Sequence, residues 1–557
     1  MGNFSYSNVP VIKHSRSRFD LSHGVKTSAN VGSLYPFDVQ EVYPGDTFKV
    51  KTSCVSRLTS QFLRPIMDNL FLDVYYFFVP SRLLYDKFKN VFGENTESKW
   101  ANTKSYAVPT IGGGSASNVV KSGTVGDYLG LPINLYMGGG ISVLPFRAFA
   151  KVYDDWFRDQ NNISPMHIQT GEAAASEVFN ENEWAPNNYT GKPPKVAKFH
   201  DYFTSCLPAP QKGQGVSVGV SSFTDVPVTT KAFDISQGLI GDHPLRLKVG
   251  AANMTAGYYP LGFSANGTMY GEAILDSKQG GSAFSNPYEV YPSNLWAKTS
   301  EMSAEPISVN DLRFAFQYQK MLERDARGGT RYVEYLQSHF GVSPGDYRLQ
   351  RSEFLGGKRS PISVTQVTQT TGSDSETSPL GQVGAYSLSG SKSRYTKGFS
   401  EHGYVLGVFC IRQFHSYQQG IERFWKRSER TEFFDPVFSN IGEQPVYKYE
   451  LYGSAGSLNA VFGYNEAWAD LRTRQNKITG QMRTGATNSL DIWHLADNYA
   501  NAPTLNEDFI NETPSNLDRV ITVESSSQDQ FILDFYIQNV AYRCLPTYSV
   551  PSLIDHN

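Results

Sequence analysis

A histidine and an aspartate stand side by side in the stretch KFHDYFTSCLPAPQKG, residues 198–213, and form the first candidate for catalysis. His200 could act as a general base, with Asp201 orienting its ring. A hydrolase of that kind also needs a nucleophile on a sharp strand-to-helix turn, but the glycine-rich sequence that follows has no predicted strand before it or helix after it. Adjacent residues of a strand also point to opposite faces, which separates the pair. We therefore interpret the stretch as a chain corner with a hydrogen-bonded histidine.

A second pair, Glu401 and His402, precedes another apolar segment. Jelly-roll enzymes of the cupin type hold a metal ion with histidines and a glutamate, so this pair is a candidate metal site. No HxH pattern accompanies it, and the four cysteines of the chain lack the paired spacing of a zinc finger or ribbon. We predict no catalytic residue, no metal site and no cofactor.

The charge balance of the chain limits what it can bind. The chain has 557 residues, with 50 Lys and Arg against 53 Asp and Glu. A nearly neutral protein cannot coat nucleic acid with its whole surface, so any contact with DNA must be local. The most apolar run, LFLDVYYFFV from Leu70, is too short to span a membrane and contains Asp73. The N-terminal segment lacks the apolar core of a signal peptide, so we expect synthesis in a cytoplasm and no membrane insertion.

The elements that must position these residues are mainly strands, and they are spread along the whole chain. The segment from Thr47 alternates apolar and polar side chains, as half-buried strands do, and LFLDVYYFFV is typical of a strand buried on both faces. Further candidate strands begin at His402, Pro445 and Phe531. Strands so far apart must pair over long range and mostly antiparallel, which favours a sandwich or jelly roll over repeated βαβ units.

Helices are few in the sequence pattern. We predict them at residues 145–159, 308–327 and 330–341. The first places aromatic side chains along one face, the second begins at the capping residue Ser308, and the third ends at Gly341.

The pattern divides the chain into a core and several excursions. A polar, mildly basic stretch opens the chain, and three regions rich in Gly, Ser and Asn interrupt the regular elements. The predicted parts are a basic N-terminal arm (1–30), a first part of the core (31–212), a surface insertion (213–300), and a second part of the core (301–557) with loop excursions at 356–393 and 484–527.

Sequence blocks along nearly the whole chain resemble one protein family. HDYFTSCLPAPQKG from His200 is similar to a block of the major capsid proteins of microviruses, the small single-stranded-DNA bacteriophages, and in particular of their gokushovirus branch. The same resemblance holds, in the same order, for LRPIMDNLFLDVYYFFVPSRLLYDKF, LPFRAFAKVYDDWFRDQN, RYVEYLQSHFGVSPGDYRLQRSEFLGG, FSEHGYVLGVFCIR, YQQGIERFWKR, GYNEAWADLRTRQNKITG and CLPTYSVPSL. Cys206 and Ala209 depart from the pattern, and residues 213–300 match no block.

The resemblance implies an eight-stranded antiparallel jelly-roll β-sandwich with long inter-strand insertions and a few helices. It also implies a virion protein, assembled in the host bacterial cytoplasm into a T=1 icosahedral shell around circular single-stranded DNA. The implied partners are other copies of the chain, the packaged DNA, a small basic DNA-binding protein, an internal scaffolding protein during assembly and a bacterial surface receptor. On this interpretation, Pro208 and Pro210 form a rigid corner at which the chain leaves the barrel.

The resemblance and the residue types together give three sets of candidate residues. The basic arm would contact DNA inside the shell, exposed aromatic residues of helical segments would contact neighbouring subunits, and apolar residues of the insertion would pack at a threefold projection used for host attachment. These sets are, respectively, Lys13, Arg16, Arg18 and Lys26; Phe149, Trp156, Phe424 and Trp425; and Tyr258, Tyr259, Leu261 and Phe263.

Two other functions stay open at this point. Exposed aromatic residues of the 213–300 region could bind glycan on a lectin-like β-sandwich. Alternatively, His200, Glu401 or His402 could serve a jelly-roll metalloenzyme. The insertion could also form a lateral seam between subunits instead of a projection.

Overall fold

The computed structural model describes the chain between residues 15 and 548 with internal gaps, and between residues 228 and 297 it describes strand backbone only. The described ranges are 15–95, 99, 104–112, 118–135, 140–173, 177–216, 228–230, 245–250, 258–263, 269–270, 278–279, 282–283, 289–292, 295–297, 309–368, 370, 381, 383–439, 441–454 and 460–548.

Strands make up most of the regular structure. In chain order they are β1 (Ser17–Asp20), β2 (His23–Ala29), β3 (Tyr35–Val42), β4 (Thr47–Leu58), β5 (Leu70–Pro80), β6 (Thr110–Ile111), β7 (Ile141–Ser142), β8 (Val228–Thr230), β9 (Leu245–Gly250), β10 (Tyr258–Phe263), β11 (Met269–Tyr270), β12 (Lys278–Gln279), β13 (Ser282–Ala283), β14 (Glu289–Pro292), β15 (Leu295–Ala297), β16 (Glu353–Ile362), β17 (Val364–Thr368), β18 (Val383–Gly398), β19 (Gly403–Gln413), β20 (Gln444–Tyr447), β21 (Val461–Asn465) and β22 (Phe531–Arg543).

Most helices are short. They are α1 (Phe88–Val91), α2 (Val125–Tyr128), α3 (Leu144–Val152), α4 (Val309–Gly328), α5 (Tyr332–Phe340), α6 (Lys448–Leu451), α7 (Ala469–Arg472), α8 (Glu507–Ile510) and α9 (Ser515–Asp518). A π-helical turn, Tyr153–Phe157, continues α3. The three helices predicted from the sequence correspond to α3, α4 and α5, and α5 ends as predicted because Gly341 adopts the left-handed conformation, with φ of 69°.

Eight of the strands form two antiparallel sheets of a β-sandwich. One sheet has the order β2-β22-β4-β18, with β1 and β17 at its margins, and the other has the order β3-β19-β5-β16. If these eight strands are lettered B to I along the chain, the sheets read B-I-D-G and C-H-E-F, which is the strand order of a jelly roll. The predicted fold class is confirmed. We call the two sheets the BIDG and CHEF sheets.

Aromatic residues from both sheets fill the space between them. Phe37 of the CHEF sheet and Phe535 of the BIDG sheet stack with their ring centroids 4.2 Å apart. Phe48 and Phe409 are fully buried in the same cluster. Stacked pairs of this kind stabilise a core by about 0.5–1.5 kcal/mol beyond the burial of their area. The alternating pattern of β4 and β22 follows from this arrangement, because one face of the BIDG sheet is buried and the other is exposed.

A second core covers the outer face of the CHEF sheet. Phe77 of β5 and Leu406 of β19 pack there with Phe146 and Phe149 of α3. The CHEF sheet is therefore buried on both faces, and this explains why β5 is apolar almost without interruption.

The structure corrects the prediction of a loop excursion at residues 356–393. Most of β16 and the first part of β18, two of the eight sandwich strands, lie in that range. The apolar alternation of a strand is absent because some of the inward side chains are serines that satisfy one another. The hydroxyls of Ser360 and Ser391, for example, are buried and 2.9 Å apart.

Three other predicted segments also differ from the structure. Residues 17–29 of the predicted arm are β1 and β2, which pair with β22 through backbone hydrogen bonds and so need few apolar side chains. The 484–527 segment buries Phe509 and Leu517 of α8 and α9 against the cores, so it is not simply a surface loop. The strand predicted from Pro445 ends at Tyr447, where α6 begins.

The chain divides into two compact units, one formed by residues 1–213 and 322–557 and the other by residues 214–321. The second unit contains a four-stranded antiparallel sheet of order β11-β10-β9-β14. Regular strands therefore occur where the sequence pattern suggested irregular loops. The division into arm, core and insertion stays a prediction.

Candidate assembly surface

The His200–Asp201 stretch is a structural corner. The Asp201 carboxylate accepts backbone N–H bonds from Phe203 and Thr204, at 2.9 and 2.8 Å, and a hydroxyl bond from Tyr417 at 2.6 Å. Asp201 thus caps a turn, whereas His200 is exposed and takes no part in these contacts. The two residues therefore do not form a catalytic dyad.

The same corner is attached to the sandwich through Phe199. The guanidinium groups of Arg359 and Arg412 both lie over its ring, with their central carbons 4.1 and 4.2 Å from the ring centroid. Both arginines also pair with Asp73, which is fully buried in β5. The carboxylate that interrupts the apolar run is thus neutralised by two cations.

Glu401 and His402 serve separate contacts. Glu401 accepts a bond of 2.6 Å from Arg82, and the ring of His402 stacks on Phe92 with centroids 4.3 Å apart. Among the described residues, no group of three or more His, Cys, Asp or Glu side chains could hold a metal ion. The metalloenzyme alternative loses both of its candidate pairs.

The surface feature that stands out instead is a segment of exposed apolar residues, which we call the aromatic strip. It is built on three single 3-10 turns, Arg423–Lys426, Arg430–Glu432 and Pro436–Phe438. Trp425 is 71% exposed and Val437 is 83% exposed. The other exposed apolar members are Phe424, Phe433, Phe434, Phe438 and Ile441. Several large apolar side chains exposed within one short segment are typical of a contact surface.

Polar contacts at the base hold the strip in place. Arg423 pairs with Glu450 at 2.8 Å, and Arg427 pairs with Asp470. The indole N–H of Trp468 donates to the carbonyl of Phe438 at 2.9 Å. Because these contacts already fix the backbone, little backbone conformational entropy is lost when the exposed rings contact a partner.

An open cleft of about 890 Å³ lies beside the strip. Its lining includes Phe424, Trp425, Arg474 and Arg483. A mixed apolar and cationic lining suits aromatic and acidic side chains of a protein partner, and Trp and Arg are enriched at the energetic centres of interfaces.

The remaining predicted interface residues lie in different places. Phe149 is fully buried in the second core, so we no longer expect it to contact a neighbour directly. Trp156 is 38% exposed, and its indole N–H donates to Ser352 at 3.0 Å. Phe424 and Trp425 belong to the aromatic strip. Sequence reasoning found these two through their aromatic type, but it missed residues 433–441 because no periodicity marks them.

The predicted DNA and threefold residues are only partly described. Arg18 lies in β1 and Lys26 in β2, both exposed on the BIDG sheet, and Arg16 donates to the Thr47 hydroxyl at 3.5 Å. Lys13 lies outside the described residues. The four threefold candidates lie in β10, for which the backbone pairing with β9 and β11 is described, but their side chains are outside the description; they are Tyr258, Tyr259, Leu261 and Phe263.

The jelly-roll sandwich and the exposed strip agree with comparisons to known proteins. Residues 7–553 match the family described as Capsid protein (F protein). The chain belongs to this capsid family. It is 37% identical over 544 residues to Capsid protein VP1 of Spiroplasma virus 4, covering 97% of this chain and 95% of that protein. Capsid proteins VP1 of Chlamydia phage 1 and Bdellovibrio phage phiMH2K are 36% and 34% identical, each over 98% of this chain and 97% of the relative.

The family assignment makes this chain a structural component of phage virions and not an enzyme. It agrees with the resemblance found in the sequence blocks. None of the described helices combines the length and the hydropathy that crossing a membrane requires.

One buried cluster in this capsid protein resembles a catalytic arrangement and was not predicted. His415 lies between two carboxylates, with its Nδ1 2.7 Å from Asp497 and its Nε2 3.0 Å from Glu512. Burial alone would lower the pKa of His415, but the charges of Glu512 and Asp497 outweigh it and raise the pKa to about 9. Burial likewise opposes ionisation of Asp497, but the charge of His415 lowers the pKa of that carboxyl to about 2. The cluster is a buried ion network beside the end of β19.

This network predicts a stability that falls at alkaline pH. The folded-state pKa of His415, about 9, lies above the ordinary histidine pKa of 6.5, so its stabilisation is complete below pH 6.5 and is lost as the pH rises through 9. The full effect is of the order of 3 kcal/mol. Because the charge of His415 lowers the pKa of Asp497 to about 2, the contribution of this carboxyl is lost only as the pH falls from 3.8 through that value. Urea unfolding of the unassembled subunit, measured over a pH range that includes the pKa values of both His415 and Asp497, tests both effects.

His415→Gln should lower the stability below pH 6.5 and flatten much of the alkaline decline. His200→Gln is the matched control, because that histidine is exposed and should change neither. His23 beside Asp38 also has a pKa raised to about 9, so part of the decline should persist in the variant. An identical decline in His415→Gln and the wild type would contradict this account.

Proposed function

We propose that copies of this chain assemble into a T=1 icosahedral shell that encloses circular single-stranded DNA. The observation that carries the proposal is the prearranged aromatic strip on a jelly-roll sandwich of the capsid family. An isolated subunit would leave seven apolar side chains of this strip in water, whereas a closed shell would bury the same patch in every copy. The resemblance to single-stranded-DNA phage capsid proteins supports the nature of the genome.

The charge of the chain supports shared DNA binding. With a formal net charge of −3, the subunit cannot neutralise a packaged genome. We expect a small basic DNA-binding protein to supply most of the positive charge, with Arg16, Arg18 and Lys26 contributing from the shell's inner surface. An internal scaffolding protein during assembly is a further expected partner.

The proposal assigns host attachment to the insertion at residues 213–300. Its support is that residues 214–321 form a compact unit of their own within the chain, so the unit can vary without altering the sandwich strands. Three copies would meet at a threefold projection and bind a receptor on the bacterial surface. The competing assignment is a seam between neighbouring subunits.

Replacing residues 220–295 by a short Gly-Ser linker tests the shell and the insertion together. We expect wild-type and shortened chains to give particles of megadalton mass in sedimentation, and we expect only the wild-type particles to adsorb to host cells. A folded but unassembled shortened chain would make the insertion a seam. A wild-type chain that stays a stable monomer and binds glycan would instead support a lectin-like β-sandwich.

A further inference from the structure

The exposed face of the BIDG sheet carries a group of cations, which we call the basic patch. It consists of Lys49 and Lys51 on β4 and Lys392 and Arg394 on β18, all exposed. Lys51 stands directly opposite Arg394 in the antiparallel pairing of these strands. Lys49 and Lys392 lie two residues along their strands from this pair, on the same face of the sheet.

The charges of the basic patch are not neutralised within the protein. In the described part of the chain, none of its four side chains forms an ion pair. Two acidic residues of this face have contacts elsewhere: Asp534 lies 3.8 Å from Lys26, and Asp20 accepts the backbone N–H of Ser22 at 3.0 Å. Like charges directly opposite in a sheet destabilise it, so the Lys51–Arg394 pair has an unfavourable energy that a bound polyanion would relieve.

Protection of a sheet edge does not account for the whole patch. Lysines on edge strands prevent sheets from joining, and residues 388–398 of β18 have β4 as their only partner within the described strands. Lys49 and Lys51, however, lie on β4, which is hydrogen-bonded to β18 on one side and to β22 on the other. Protection of a sheet edge therefore does not explain Lys49 and Lys51.

Tyrosines flank the basic patch. Tyr536 is 57% exposed and stands opposite Ser53, whose other neighbour across the sheet is Lys392. Lys49 places its Nζ 5.4 Å from the ring centroid of Tyr542. Aromatic rings set among cations are the surface composition that binds single strands, because bases stack on the rings while phosphates meet the cations.

We infer that this face of the BIDG sheet binds single-stranded nucleic acid, with backbone phosphates at the basic patch and a base stacked on Tyr536. The inference rests on the proposed function and extends it, because it names the surface that the packaged strand contacts. Arg18 and Lys26, predicted as DNA contacts in the arm, lie on strands of this same face. The packaged nucleic acid would therefore run along the BIDG sheet and not only along a terminal arm.

Binding of a labelled oligothymidylate to the full-length, unassembled subunit tests the inference. In the triple variant Lys49→Gln, Lys51→Gln, Arg394→Gln, affinity should fall at least about tenfold. The slope of log affinity against log salt, between about 50 and about 200 mM, should fall in magnitude by about 2, because three phosphate contacts are lost. The control variant Lys89→Gln, Lys195→Gln, Lys358→Gln removes the same charge from exposed lysines elsewhere and should leave the slope unchanged.

Cross-linking in assembled particles provides a second measurement that needs no variant. Ultraviolet irradiation of particles with bromodeoxyuridine in their DNA should give a cross-linked peptide that contains Tyr536. Particles that hold DNA but cross-link it only elsewhere, with an unchanged salt slope in the triple variant, would overturn the inference while leaving the proposed function intact. Loss of assembly in the triple variant with unaltered oligothymidylate binding would also overturn it, since the face would then contact a second copy. A wild-type chain without particles or DNA would refute the proposed function itself.

Discussion

Arg147→Met should destabilise the subunit by about 3–5 kcal/mol, because it removes one partner of a buried ion pair. Arg147 on α3 is fully buried, and its guanidinium forms two bonds of 2.9 Å to Glu177. Its remaining donors reach the backbone carbonyls of Leu84, Gly171 and Glu172 at 3.0, 2.9 and 3.4 Å. All five N–H groups of the side chain are thus used inside the core that covers the CHEF sheet.

Guanidinium chloride unfolding of the unassembled subunit measures this loss. Lys192→Met is the control, because Lys192 and Glu183 form a pair at 2.8 Å whose side chains are 53% and 75% exposed. We expect that variant to lose no more than about 1 kcal/mol. The double variant Arg147→Met, Glu177→Leu should recover part of the loss, since it leaves no uncompensated carboxylate. If Arg147→Met and Lys192→Met lower the free energy of unfolding equally, the buried ion pair contributes no more to stability than the exposed one.

Trp425→Ala should reduce particle yield at least tenfold while leaving the unfolding of the isolated subunit nearly unchanged. Trp425 is 71% exposed, so its removal creates no cavity within the subunit. Tryptophans at the centre of an interface contribute about 2 kcal/mol or more to association. A loss of that size corresponds to roughly thirtyfold in each contact constant, and every subunit of a closed shell would make the contact.

Sedimentation at a series of protein concentrations separates weaker association from misfolding. Phe92→Ala serves as the control, because Phe92 is 60% exposed but stacks on His402 of its own subunit. We expect Phe92→Ala particles to form at the wild-type concentration. If Trp425→Ala particles also form at that concentration, the aromatic strip is not part of an assembly contact.

The sequence predicts two kinds of strand: those with one buried and one exposed face, and those buried on both faces. β4 and β22 alternate because one side faces the core, and β5 is apolar because helix α3 covers its second side. β18 could not be recognised, since Ser387, Ser391 and Ser393 point inward and are buried. The hydroxyls of Ser387 and Ser391 bond to Ser363 and Ser360, which are 24 and 31 residues away in the chain, so no local pattern reports these contacts.

The candidate site was predictable to a similar, partial extent. Residue type alone drew attention to Phe424 and Trp425, but the exposure of the strip depends on its ion pairs with Glu450 and Asp470, which are 27 and 43 residues away in the chain. The basic patch was missed for a related reason. Its cations lie on two strands more than 300 residues apart, and only the register of β4 and β18 brings them together.

The position of β22 has a consequence for the synthesis of the protein. This strand lies between β4 on one side and both β1 and β2 on the other, and a contact at its start joins Ser28 to Asp529, 501 positions apart. At about 5–20 residues per second, β4 waits on the order of a minute on the ribosome for its neighbour. A chain that ends before β22 cannot complete the BIDG sheet, so the basic patch on β4 and β18 would lack its neighbouring strand. We therefore expect chains that end before β22 to be poorly competent for assembly.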